Sequence, residues 1–108
     1  MEELDPVAPP RLVHEVITPG DGSVVIVLEG ELDLATTGRL SAAVGDALAS
    51  VSTCLVVDVE RLQFADSSAI ALWVNWSSQV PKIEIRNPRL MVRRVIDMMG
   101  LTETLNPS

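Results

Sequence analysis

Apolar and polar positions change their spacing several times along the chain, and each change marks an element. Leu12 to Ile17 can form a strand, and the dense turn signal Pro19-Gly20-Asp21-Gly22 follows it. Val24-Val25-Ile26-Val27-Leu28 is uninterrupted and β-branched, the pattern of a central strand, so the two segments predict an opening β-hairpin. Beyond Gly30 the period lengthens. Leu40, Val44, Ala47, Leu48 and Val51 form one helical stripe, with Thr36 or Thr37 as the expected N-cap. Cys54 to Val59 reads as a second buried strand.

Asp66-Ser67-Ser68 opens the next helix, whose inward stripe would be Ile70, Trp73, Val74 and Ser77, and Pro81 closes it. Lys82-Ile83-Glu84-Ile85-Arg86 alternates with period two, as a half-buried or edge strand does. Asn87 as N-cap and Pro88 at the first helical position predict a third helix to Met99, with Val92, Val95, Ile96 and Met99 facing inward and Gly100 as the stop. The order β-β-α-β-α-β-α is that of an α/β domain. Right-handed crossovers moving one way along the sheet put the helices mainly on one face of a small mixed β-sheet, parallel after its hairpin. Fully apolar central strands want cover on both faces, so the proline-rich arm, the C-terminal tail or a partner is expected on the second one.

Composition narrows what such a domain can do. With 108 residues and 47% apolar side chains, the chain suits a single core spanning residues 11–108, preceded by an acidic, proline-rich N-terminal arm at residues 1–10. A net charge of −7, with no Tyr, one Phe and two Trp, argues against a nucleic-acid partner. The lone Cys54 and lone His14 exclude an internal disulfide and a Cys/His zinc centre. No cofactor or metal is implied. The longest apolar run, Ala69 to Val74, is far short of the ~20 residues a bilayer needs, so no membrane insertion is expected. The acidic start is unlike a secretory signal, and a cytoplasmic protein is expected.

Two segments carry the candidate chemistry. Asp66-Ser67-Ser68 puts two hydroxyls where a buried strand meets a helix N-terminus, a place that suits a phosphate; ordinary capping is the commoner reason for such residues there. Gly30-Glu31-Leu32-Asp33 falls at the same carboxyl edge of a parallel sheet, so Asp33 and Asp66 are expected near one another. Trp76 projects toward the flank of its helix, either as an exposed interface anchor or as cover for a neighbouring element. Five basic residues against one acid in 82–94 form a basic strip, suited to an acidic partner or a lipid headgroup but more commonly a solvated face with local ion pairs such as Arg93–Asp97. An enzymatic reading would need His14 to reach Ser67 or Ser68, and the chain has neither a Gly-x-Ser-x-Gly elbow nor a Gly-rich phosphate loop.

Gly30-Glu31-Leu32-Asp33 with Thr37 and Leu40, Leu55-Val56-Val57-Asp58-Val59, Phe64-Ala65-Asp66-Ser67-Ser68, and the closing Asn87-Pro88, Val92-Arg93-Arg94-Val95 and Met99-Gly100-Leu101 together resemble the STAS domain family. The similarity spans about residues 11 to 105 and is nearest to the stand-alone bacterial anti-sigma-factor antagonists. The resemblance implies a non-enzymatic, cytoplasmic regulator, a monomer or weak dimer, that binds an anti-sigma factor serine kinase. It also implies that Ser68 is the phosphorylated residue, Ser67 being the second choice, and that a PP2C-type phosphatase reverses the modification. The implied partner-binding residues are Asp33, Thr37, Asp66, Ser67, Ser68 and Ala69, with Trp76 added as the anchor. Ala69 stands where the family usually carries Gly, and the stretch from Asp66 to Pro88 is shorter than usual. The alternative is a STAS docking subunit of a membrane lipid-transport ATPase or signalling scaffold.

Overall fold

The computed structural model describes residues 11–108; the expected arm at 1–10 lies outside the described residues. Strands β1 (Leu12–Ile17), β2 (Val24–Leu32), β3 (Leu55–Ala65) and β4 (Ile83–Arg86) form one sheet in the order β1-β2-β3-β4. β1 and β2 pair antiparallel as the hairpin, and β2–β3 and β3–β4 are parallel. The linking helices are α1 (Leu34–Ala49) and α2 (Ser67–Ser77), and α3 (Leu90–Met98) and the short α4 (Thr102–Leu105) follow β4. The mixed sheet with its helices is the expected architecture; only α4 was without a sequence signal.

Register explains the core. Val24, Leu55 and Ile83 lie side by side across the three parallel strands β2, β3 and β4, as do Ile26, Val57 and Ile85. All six are buried, and with Leu40, Val44 and Leu48 of α1 and Ile70, Trp73 and Trp76 of α2 they make one cluster. The opposite face is mixed rather than apolar. Val25 and Val56 share it with Glu84, and Val27 shares it with Asp58 and Arg86. The C-terminal tail does not spread over that face. It closes the free edge of β4 instead: Ser108 N–H donates to Ile85 O (3.0 Å), Asn87 N–H to Ser108 O (3.1 Å) and the Asn106 amide to Ile83 O (2.8 Å). Unpaired edge groups, a hazard in any open sheet, are thereby satisfied.

Several boundaries differ from the pattern's expectation. β2 and β3 run on through Leu32 and Ala65, past the points where polar residues break their apolar runs. There Glu29 pairs with Arg61 and Glu31 with Phe64 across two register shifts. Gly30 takes φ +111° within this stretch, and a side chain there would collide with the Arg11 carbonyl. α1 begins at Leu34 with Asp33, not a threonine, as its cap. Asn87 adopts a left-handed conformation (φ 58°), so it cannot cap α3, and Arg89 holds the N-cap position. Met99 is exposed because α3 has ended, and the helix keeps only Ile96 fully buried.

Candidate functional site at two helix N-termini

Leu32 of β2 and Ala65 of β3 are register partners, so the next residue on each strand, Asp33 and Asp66, begins a helix at the same edge of the sheet. The Asp66 N–H donates to Leu32 O (3.3 Å) and ties the two turns together. This is the expected juxtaposition of the two acids.

The turns are built alike from short acidic caps. Asp33 Oδ1 accepts from the N–H groups of Ala35 (3.0 Å) and Thr36 (3.2 Å), while Thr36 Oγ1 accepts from Asp33 N–H (2.9 Å) and donates to Glu31 O (3.0 Å). That reciprocal box satisfies orphan donors at both ends of the turn, and it buries Thr36. Asp33 is also bonded to the Arg11 guanidinium, which reaches Glu31 Oε1 at 3.3 Å. The Asp33 charge therefore has a compensating cation. Asp66 Oδ1 accepts from Ser68 N–H (2.8 Å), and Asp66 belongs to none of the ion pairs among the described residues.

Ser67 and Ser68 separate at this point. Ser68 is half-buried and opens into a shallow depression between α1 and α2, with Leu34, Thr37, Gly38, Ser41 and Leu72 around it. Ser67 is exposed and faces the cleft between α2 and α3, which Ile70, Met91, Val92 and Val95 line. Thr37 shares the depression with Ser68, whereas Asp66 borders the Ser67 cleft. Large apolar side chains stand exposed nearby: Leu34, at the Ser68 depression, is 80% exposed and Met91, at the Ser67 cleft, 72%, while Phe64, 50% exposed, lines an adjoining pocket with Met91 and Val92. None of these three was singled out in the sequence as an exposed apolar residue. The signal available was their position, each just before or after a helix cap where no core stripe would hold it.

Two expected contact residues turn inward. Trp76 is fully buried in the core beside Trp73, so it is no surface anchor; of the two alternatives, it is cover. The helix period carries Ala69, Trp73 and Trp76 down one side, and the short loop after α2 packs Val80 near them. Ala69 is also fully buried, and its methyl group lies in the core rather than at the mouth of either groove. The Arg93–Asp97 pair is not among the ion pairs of the described residues; Asp97 accepts instead from Thr102 Oγ1 (3.1 Å). His14 opens with Arg39 and Leu40 into a pocket between β1 and α1 that neither serine lines.

With this arrangement in view, the family model described as Mlab, STAS domain matches residues 17–107. The anti-sigma-F factor antagonist RsfB of Mycobacterium tuberculosis is 28% identical over 98 residues, covering 88% of this chain and 80% of its own. The anti-sigma factor antagonist SpoIIAA superposes in its unphosphorylated form with a TM-score of 0.74 and 26% identity over 89% of this chain and 88% of its own. SpoIIAA of Bacillus in its phosphorylated form gives 0.70 and 25%, over 89% and 91%. An anti-sigma factor antagonist from Mycobacterium paratuberculosis shares the fold with a TM-score of 0.80 at 24% identity, over 93% and 87%.

Proposed function

The chain belongs to the STAS domain family, and on that footing we propose that it is an anti-sigma-factor antagonist switched by phosphorylation of Ser68. Unmodified, it binds an anti-sigma factor that is also a serine kinase, and the sigma factor is released to support transcription. The names of the relatives support the antagonist role, and one of them is a protein known in both unphosphorylated and phosphorylated forms.

The observation that carries the choice of Ser68 is its place in the depression between α1 and α2, one bond from the Asp66 cap. Kinase action transfers the γ-phosphoryl group of ATP to Ser68 Oγ. The new O–P bond replaces the bridging bond to ADP, and the hydroxyl proton leaves to a base of the kinase. The product adds about −1.5 to −2 charges where the Asp66 carboxylate has no compensating cation among the described ion pairs. Within α2 the helix dipole favours that charge, so the fold tolerates it. Against a docked partner the same charge adds repulsion and a desolvation penalty, and the complex separates. A PP2C-type phosphatase restores the hydroxyl with water.

The family resemblance also allows a second reading, a docking subunit of a membrane lipid-transport ATPase, and the family model that matches is described as Mlab, STAS domain. In that reading the same apolar surround binds the ATPase and no phosphoryl step is needed. Calorimetric titration against the cognate anti-sigma factor kinase separates the two. The antagonist reading expects wild type and Ser67→Ala to bind alike, with Ser68→Asp weakened by about tenfold or more, on the order of 1.4 kcal/mol. Equal binding by Ser68→Asp contradicts the switch, and binding only to an ATPase subunit supports the second reading.

A further inference from the structure

The basic strip foreseen at 82–94 is not absorbed by the switch, and most of it lies on or beside α3. Helical spacing turns Ile96 into the core with Val92 and Val95 partly buried beside it, and so sends Leu90, Arg94, Asp97 and Met98 outward, while Met91 borders the cleft with Ser67. Leu90 is 61% exposed, Met98 84% and Met99, just past the helix, 56%. These side chains stand clear of the surface rather than resting on a neighbour. Arg89, Arg93 and Arg94 are exposed around them. The nearby acids are partly engaged: Glu84 lies 3.8 Å from Arg86, and Asp97 accepts from Thr102.

We propose that the outer face of α3 is a peripheral docking surface for an anionic phospholipid membrane, which it meets at headgroup level without spanning it. Charge complementarity is the first argument. Arg93 and Arg94 on the helix match a surface of phosphodiesters, because the planar fork of Arg pairs with two phosphate oxygens at once; Arg89, at the N-cap, instead turns its Nε to Leu62 O (2.9 Å). Shape is the second. Long, unbranched methionines projecting outward need no preformed partner groove, and a lipid interface takes them up by yielding. Arg94, one turn before Met98 on the same face, keeps its head at the phosphates while its stem lies beside that methionine. An acidic protein satisfies the charge but must also present a concavity for several separate apolar projections, so lipid is the better fit. This inference stands independently of the phosphorylation switch, since Arg93, Arg94 and Met98 border neither serine.

Co-sedimentation with vesicles tests it, using phosphatidylglycerol mixed into phosphatidylcholine, and phosphatidylcholine alone. The full chain is expected to sediment with the anionic vesicles only, and to be released by high salt. Arg93→Glu combined with Arg94→Glu is expected to weaken that binding by at least about tenfold. Met98→Ser is expected to weaken it several-fold at unchanged charge. All three positions are exposed, so thermal unfolding should match the wild type and exclude a folding defect. Absence of sedimentation with anionic vesicles, equal sedimentation with both vesicle types, or wild-type behaviour of the variants overturns the proposal. So does charge-dependent retention on an acidic protein matrix without any vesicle binding, which identifies an acidic protein partner instead.

Discussion

Ser67 and Ser68 are adjacent in the chain but open into different grooves, Ser67 toward α3 and Ser68 toward α1. The first turn of α2 rotates each successive residue by about 100°, and the Asp66 cap fixes the phase by holding the Ser68 N–H. Local chemistry treats two neighbouring hydroxyls as equivalent. Their surroundings differ, so a phosphoryl group would enter a different groove at each of the two candidates that the sequence leaves open.

A negative charge at Ser68 should therefore be benign for folding and adverse for binding. Ser68→Asp places a carboxylate in the first turn of α2, where the dipole contributes about 0.3–1 kcal/mol in its favour, less the repulsion from Asp66. Urea unfolding should show it within about 1 kcal/mol of wild type while partner affinity falls.

The two caps differ in how much they support. Asp66→Ala removes one side-chain bond and should cost about 1 kcal/mol. Asp33→Ala removes two cap bonds together with the Arg11 contact, so it should cost more, about 2 kcal/mol. Equilibrium denaturation of both variants tests the order, and equal losses would contradict it.

Ala69 departs from the usual glycine of the family, yet its methyl group is fully buried. Ala69→Gly should lower stability by about 1 kcal/mol through helix propensity and lost packing. Phosphorylation of Ser68 by its kinase should keep its rate, because nothing is removed from the groove. A large increase in that rate would show that the methyl group does obstruct the kinase.

Trp73 and Trp76 are wholly inside the core, and neither indole N–H has a partner among the described residues. Their emission should be blue-shifted and poorly quenched by iodide. Trp76→Ala should cost about 3–5 kcal/mol, a large part of the stability of a domain this size. Strong iodide quenching in the native state would place an indole at the surface, against the structure.

The Cys54 thiol has its pKa raised by burial first and by the Glu84 charge second, with Lys82 and Arg86 opposing. Below its pKa the group is the neutral thiol, so alkylation at neutral pH should be slower than for a free cysteine. The rate should climb at a higher pH than in the unfolded chain. Identical pH profiles for the native and unfolded protein would contradict this.

Element types were legible because burial imposes period two or 3.6 on the apolar positions, and α1, α2 and the central strands follow it. The extensions of β2 and β3 were not legible. Past Leu28 and Val59 these strands carry polar residues such as Glu29, Arg61 and Gln63, and backbone pairing continues there without a continuous apolar run. Thr36 was read as a cap by residue type, while Asp33 holds that place because the extended β2 delivers it directly to the helix start. Trp76 was misjudged because a single helical stripe allows one buried face, and α2 is enclosed more widely, with Ala69, Ile70, Trp73 and Trp76 all buried. The Asp66-Ser67-Ser68 turn was legible as a strand-to-helix junction. Which groove each serine faces depends on α1 and α3, and no local pattern contains that.

The central claim is tested most directly by the intact mass of the protein from its native host, in growing and in stressed cells, beside a Ser68→Ala variant. The account predicts one phosphoryl group on the wild type, varying with condition and missing from the variant. An unmodified wild type under every condition, or a phosphoryl group that persists in Ser68→Ala, would contradict it.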